Sequence, residues 1–273
     1  MQVFGIDFTS APSRRKTIAC AECRLLDELL YVDAVHRWLD FDEFEAFLMQ
    51  GEHWLAGIDA PLGQPRRLVE ALSWPEDWAA YVEHVGSMTK SEFVEQVTRY
   101  SRNQPKGDKH HFRITDRLAD SCSPMMMHGV PVGKMFYEAA PRILRADVSV
   151  LPCRPNASDR VVVEAYPALV ARRAIGRAKY KTDRAETNNG AIRKELLAFF
   201  ATKNSIDVRI RLPEELRDNL IAEPSGDGLD AVLCAVQIAA SNRSSPNDLG
   251  IPPDADPLEG WIVDPGITAS KLP

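Results

Sequence analysis

Two apolar runs in this chain of 273 residues finish on the same three residues: VFGID ends at Asp7 and LAGID ends at Asp59. A third run, VVVEAYP, reaches Glu164 through three consecutive valines. Short apolar runs bounded by turn residues read as buried strands. A carboxylate at the end of such a strand is costly to desolvate, and several together tolerate one another only when a cation or protons neutralise them. The chain therefore needs a fold that gathers strand ends at one edge and supplies positive charge there. A fourth acidic group, Asp227 and Asp230 in GDGLDAVLCA, opens a segment of helical pattern.

The order of elements narrows the fold. Residues 2–8, 17–23 and 29–35 read as three strands joined by short turns. DFDEFEAFLMQG then predicts a helix, with Asp40 as its cap, Asp42 and Glu43 in its first turn, and Phe41, Phe44, Phe47 and Leu48 on one face. HWLAGIDAP supplies the fourth strand. Residues 63–150 change character: Trp74, Trp78, Tyr81 and several methionines predict helices and loops, a helical insertion within a single domain covering 1–273. The strand to Glu164 follows, then helices at 168–178, 189–203 and 213–221, an apolar run at 206–212, a helix from Asp227 to about Ser241, and a short strand in GWIVDP. This is a mixed α/β sheet with antiparallel leading strands and a parallel centre, the strand order of ribonuclease H-like domains.

In that order the first and fourth strands are parallel neighbours about 5 Å apart, so Asp7 and Asp59 meet at the edge where open α/β sheets bind ligands. Glu164 is expected beside them. On the last helix Leu229, Val232, Leu233 and Val236 form a core stripe, with Asp227 and Asp230 together on its flank. Either acid can reach the strand ends, although Asp227 also suits a helix cap and Asp230 the positive end of the helix dipole. Hard oxygen ligands without a His/Cys cluster point to Mg2+ or Mn2+, and acids bridging two such ions suit phosphodiester hydrolysis.

Charge and cysteine usage add little. The net charge of −6 repels nucleic acid as a whole, yet residues 172–194 hold eight basic side chains against two acids. Lys179 and Lys181 in that segment are candidate contacts to a substrate phosphate, as are Arg113 and Arg117 in KHHFRITDR, where His110 and His111 are candidate proton carriers. A solvated loop and a polar turn entering a helix explain the same residues. Five scattered cysteines do not form a disulfide framework, and Cys20 and Cys23 lack a second pair at zinc-finger spacing. No apolar run approaches the length of a membrane span, and the first residues lack the pattern of a secretory signal, so a cytoplasmic location without membrane contact is expected.

FGIDFTSAP, GIDAPLG, VEAYPAL, GDGLDAVLCA and EGWI together resemble the domain-of-unknown-function family numbered 429, whose members are described as predicted nucleases of ribonuclease H-like fold. The resemblance implies metal-ligating acids at Asp7, Asp59, Glu164 and either Asp230 or Asp227, and a further acid on the first helix, where Glu43 and Glu45 stand. The expectation is a Mg2+- or Mn2+-dependent nuclease acting on a nucleic-acid substrate, with Asp7, Asp59, Glu164 and Asp230 catalytic. Two rivals share the fold: a nucleotide-binding phosphotransferase of actin-like or sugar-kinase-like type, and a non-catalytic binding protein.

Overall fold

Three strands open the fold, β1 (Gln2–Asp7), β2 (Ile18–Leu26) and β3 (Leu29–Trp38), followed by α1 (Phe41–Leu48) and β4 (Trp54–Asp59). The computed structural model describes residues 1–182, 189–202 and 204–267. Asp40 caps α1 by accepting from the Glu43 amide, as its sequence position predicts. Five helices then run from 66 to 145: α2 (Arg66–Ala71), α3 (Trp78–Ser87), α4 (Lys90–Arg102), α5 (Ile114–Ala119) and α6 (Val132–Arg145). The second half comprises β5 (Ser149–Leu151), β6 (Arg160–Glu164), α7 (Pro167–Ile175), α8 (Gly190–Ala201), β7 (Arg209–Arg211), α9 (Glu214–Ala222) and α10 (Asp227–Ser244).

The seven strands form one sheet in the order β5-β6-β4-β1-β2-β3-β7. β2 runs antiparallel to both β1 and β3, whereas β1, β4, β6 and β5 are mutually parallel. β7 adds a parallel strand beyond β3. This is a mixed α/β sheet consistent with a ribonuclease H-like fold. Two short strands lie outside the sequence expectation: three-residue β5, and β7, whose apolar run at 206–212 had no assigned partner. GWIVDP forms a single parallel bridge, Ile262 to Glu164, rather than a strand. Among the described residues no helix is long and apolar enough to cross a membrane.

The sheet separates two cores, because alternate side chains of a strand point to opposite faces. On one face Val3, Leu55 and Val163 pack with α7, α8 and α10. On the other, Phe4, Ile6, Ala56, Ile58 and Val162 pack with α1 and the helices of 66–145, which share a single core with the sheet. The same alternation places Cys20 in the second core and Cys23 in the first, so the two thiols, both free, cannot form one metal site.

α10 departs from the one-stripe expectation. Fourteen of its eighteen residues are buried, including Asp230 and Gln237, because the helix lies between the sheet and α7. A helix enclosed on all sides shows no polar face.

Candidate metal centre

The Gly-Ile-Asp repeat has a packing cause. β1 and β4 pair in parallel with Gly5 opposite Gly57 and Asp7 opposite Asp59. Both glycines face α10: a Cβ on Gly5 would lie 1.9 Å from the Ala231 carbonyl oxygen, and one on Gly57 would lie 2.7 Å from Ile238 Cγ2. The missing side chains let α10 lie flush on the sheet. Two residues further along each strand, on the same face, come Asp7 and Asp59, and α10 brings Asp230 to meet them. One carboxylate oxygen from each of these three acids lies within 4.8 Å of the others.

Burial dominates the electrostatics of this trio. Asp7 is pushed up to about 8, mainly by desolvation and further by the charges of Asp59 and Asp227, while Lys181 and Lys16 oppose the rise. Asp59 is pushed up to about 6, again by burial first, with Lys181 opposing it and Glu164 adding to it. Asp230 accepts a hydrogen bond from the Tyr180 hydroxyl at 2.6 Å and pairs with the Lys181 ammonium. Arg193 fixes this support from behind: its Nη1 donates to the Tyr180 carbonyl at 2.7 Å and its Nε to the Ile221 carbonyl at 2.8 Å.

Asp227 is the first residue of α10 but not its cap. Gly226 holds the cap position at φ +70°, packed against Tyr180 and Lys181, and the charge of Asp227 reaches Asp7. Lys181, a candidate contact to a substrate phosphate in the sequence, pairs with Asp230. Lys179 is exposed and lines a surface cavity of about 360 Å3 together with Arg172, Arg177 and Lys181. The part of the basic segment at 183–188 lies outside the described residues.

Glu164 does not join the trio. It pairs in register with Ile58, one residue short of Asp59, so its side chain points to the opposite face. There Arg113 Nη1 donates to Oε2 at 2.8 Å and Nη2 to Oε1 at 2.6 Å, and the Leu62 amide donates to Oε2 at 3.1 Å. Arg113 also grips Asp116 through Nε and Nη2 and donates to the Glu259 carbonyl. All three charged side chains are buried, and the five N–H groups of Arg113 are used. The expectation that Arg113 holds a substrate phosphate therefore fails, because no donor remains.

The other candidates are also placed elsewhere. Arg117 is exposed, with its guanidinium 5.3 Å from the centre of the Phe112 ring. His111 is a buried packing group bonded to Tyr100 at 2.9 Å and Asp108 at 3.2 Å. Glu43 accepts from the Leu39 amide and Glu45 pairs with Arg142 and Arg145, both on the α1 side of the sheet, away from the trio. Tyr180 and Arg193 join the site without a sequence motif of their own; the one local signal is an aromatic residue set between Lys179 and Lys181.

No curated protein and no solved structure matches the chain. Residues 5–253 match the profile of the family described as "Protein of unknown function (DUF429)". That match spans both cores and all three acids of the trio, and the chain belongs to the DUF429 family.

Proposed function

We propose that this chain is a divalent-metal-dependent hydrolase of phosphodiester bonds in nucleic acid, with Asp7, Asp59 and Asp230 as the ligands of Mg2+ or Mn2+. The observation that carries the reading is the convergence of three carboxylates from β1, β4 and α10 within 4.8 Å. The donor set fits the group: three hard oxygen ligands, two of them held well above the usual carboxylate range by burial. A divalent ion bound there would supply the charge that activates water and stabilises the leaving oxygen.

The protein's own residues would do the rest. Tyr180 orients Asp230 through its hydroxyl, and Lys181 balances part of the trio's charge from the protein side. Arg172, Arg177 and Lys179 line the cavity next to Lys181 and give a phosphate chain positive charge along its approach. Glu164 and Arg113 brace the strand end from the opposite face.

The test is thermal denaturation of wild-type protein and Asp7→Asn with millimolar Mn2+, together with cleavage of labelled single- and double-stranded DNA and RNA. The wild type should be stabilised by the metal and cleave a strand, and Asp7→Asn should do neither while remaining folded. Undiminished cleavage by Asp7→Asn sinks the assignment. Saturable ATP binding without strand cleavage would favour the phosphotransferase, and the absence of any metal response the non-catalytic protein.

A further inference from the structure

Beside Asp59 the structure encloses a cavity of about 200 Å3 between the ends of β4 and β6, the 121–122 turn and the start of α6. Its walls are largely apolar, formed by Val130, Val132, Met135, Ile262 and the ring of Tyr166. Its polar side holds Asp59 and Ser121 over the Arg113, Asp116 and Glu164 cluster. That cluster sets one guanidinium against two carboxylates, and every N–H of the guanidinium is already donated. The Ser121 hydroxyl donates to Asp116 at 3.1 Å, which leaves it only lone pairs for a ligand.

These features select a ligand. Among the described lining residues a phosphate or carboxylate would find no free cation and would meet net negative charge. A flat ring with an exocyclic amino group would find apolar walls and acceptor atoms, whereas uracil, whose N3–H lies between two carbonyls, would set those oxygens against the same acceptors. The cavity is smaller than the roughly 300–1,000 Å3 of pockets for drug-sized ligands, so it holds one ring system and not a stack. Asp59 belongs both to this cavity and to the acidic trio, so the cavity adjoins the trio.

We infer that the cavity takes one unstacked nucleobase bearing an exocyclic amino group (adenine, cytosine or guanine) from a single-stranded nucleic acid whose adjoining phosphate would lie toward an ion held by the trio. The inference rests on the nucleic-acid reading of the acidic site and narrows it to single strands. Readout of unpaired bases by apolar walls and edge hydrogen bonds is the common route to such selectivity.

The experiment titrates adenosine, cytidine and uridine into the full chain without divalent metal, followed by NMR chemical shifts. Wild type, Val132→Phe, which fills the cavity, and Ser121→Ala, which removes the acceptor lone pairs together with the hydroxyl's bond to Asp116, are compared. Adenosine and cytidine should bind at least about tenfold more tightly than uridine, and Val132→Phe should lose that binding. Ser121→Ala should weaken amino-bearing nucleosides by about fivefold and leave the Mn2+ thermal shift unchanged; this smaller change carries the test if Val132→Phe fails to fold. Equal binding of the three nucleosides, no binding, or binding indifferent to both variants overturns the inference. Because the titration is metal-free, it fails separately from the hydrolase reading: metal-dependent cleavage without base discrimination overturns the cavity assignment alone, and nucleoside binding without cleavage overturns the hydrolase alone.

Discussion

The two faces of one sheet edge solve the same electrostatic problem differently. On the insertion face, Glu164 and Asp116 are buried around Arg113, and the guanidinium is saturated by its two carboxylates and the Glu259 carbonyl. On the α10 face, Asp7, Asp59 and Asp230 share the partial support of Lys181, Lys16 and a tyrosine hydroxyl, and two of them are driven toward protonation. A buried charge set that is internally paired is structural, and one left short of positive charge is prepared to receive it from a ligand. Proximity of acids in sequence or in space does not separate these cases; the count of committed donors does.

The largest effect that tests this contrast is Arg113→Ala. Removing the guanidinium that pairs them strands two buried carboxylates, and the expected loss is about 4 kcal/mol of unfolding free energy by urea titration. A loss below about 1 kcal/mol would show that the cluster is not the closed unit described. Gly5→Ala comes next. Its Cβ would overlap the Ala231 carbonyl oxygen, α10 would have to lift from β1, and about 3 kcal/mol should be lost together with the Mn2+ response.

Asp7→Asn should act in the opposite direction. The folded pKa of Asp7, about 8, lies above its ordinary value of 3.8, so the folded protein binds this proton more tightly than the unfolded chain. The resulting stability is fully present below about pH 4 and is lost as pH rises through about 8. Asparagine mimics the protonated acid at every pH. The variant should match the metal-free wild type near pH 4 and exceed it by more than about 2 kcal/mol above pH 8, read from thermal melts across that range. A difference that does not change with pH would remove Asp7 from the uncompensated set.

The sequence made this face visible where chemistry and strand ending coincide. Asp7 and Asp59 close apolar runs, and the strand order alone makes them neighbours. The repeated glycine was visible as a repeat, but its cause is the approach of α10, a contact between residues more than 170 positions apart. Glu164 was misplaced because its face depends on the one-residue offset between β4 and β6, which no local pattern encodes. Arg113, Tyr180 and Lys181 lie in loops or at helix starts, where side-chain partners follow from tertiary docking rather than period.

The smallest effect belongs to Lys181, and it separates two roles for that residue. Its side chain is 42% exposed while Asp230 is buried, so solvent screening keeps the pair's contribution to stability modest, and Lys181→Met should cost less than about 1 kcal/mol. Metal binding is the sharper readout. The ammonium and a divalent ion compete for the same carboxylate oxygens, so without Lys181 the Mn2+ concentration giving half the maximal thermal shift should fall severalfold. A rise instead would show that the lysine organises Asp230 for the ion rather than competing with it. If the lysine also meets a substrate phosphate, cleavage at saturating Mn2+ should fall in the same variant even as metal binding tightens. Cleavage that rises in step with metal occupancy would confine Lys181 to charge balance, and would leave Arg172, Arg177 and Lys179 as the residues that meet the strand.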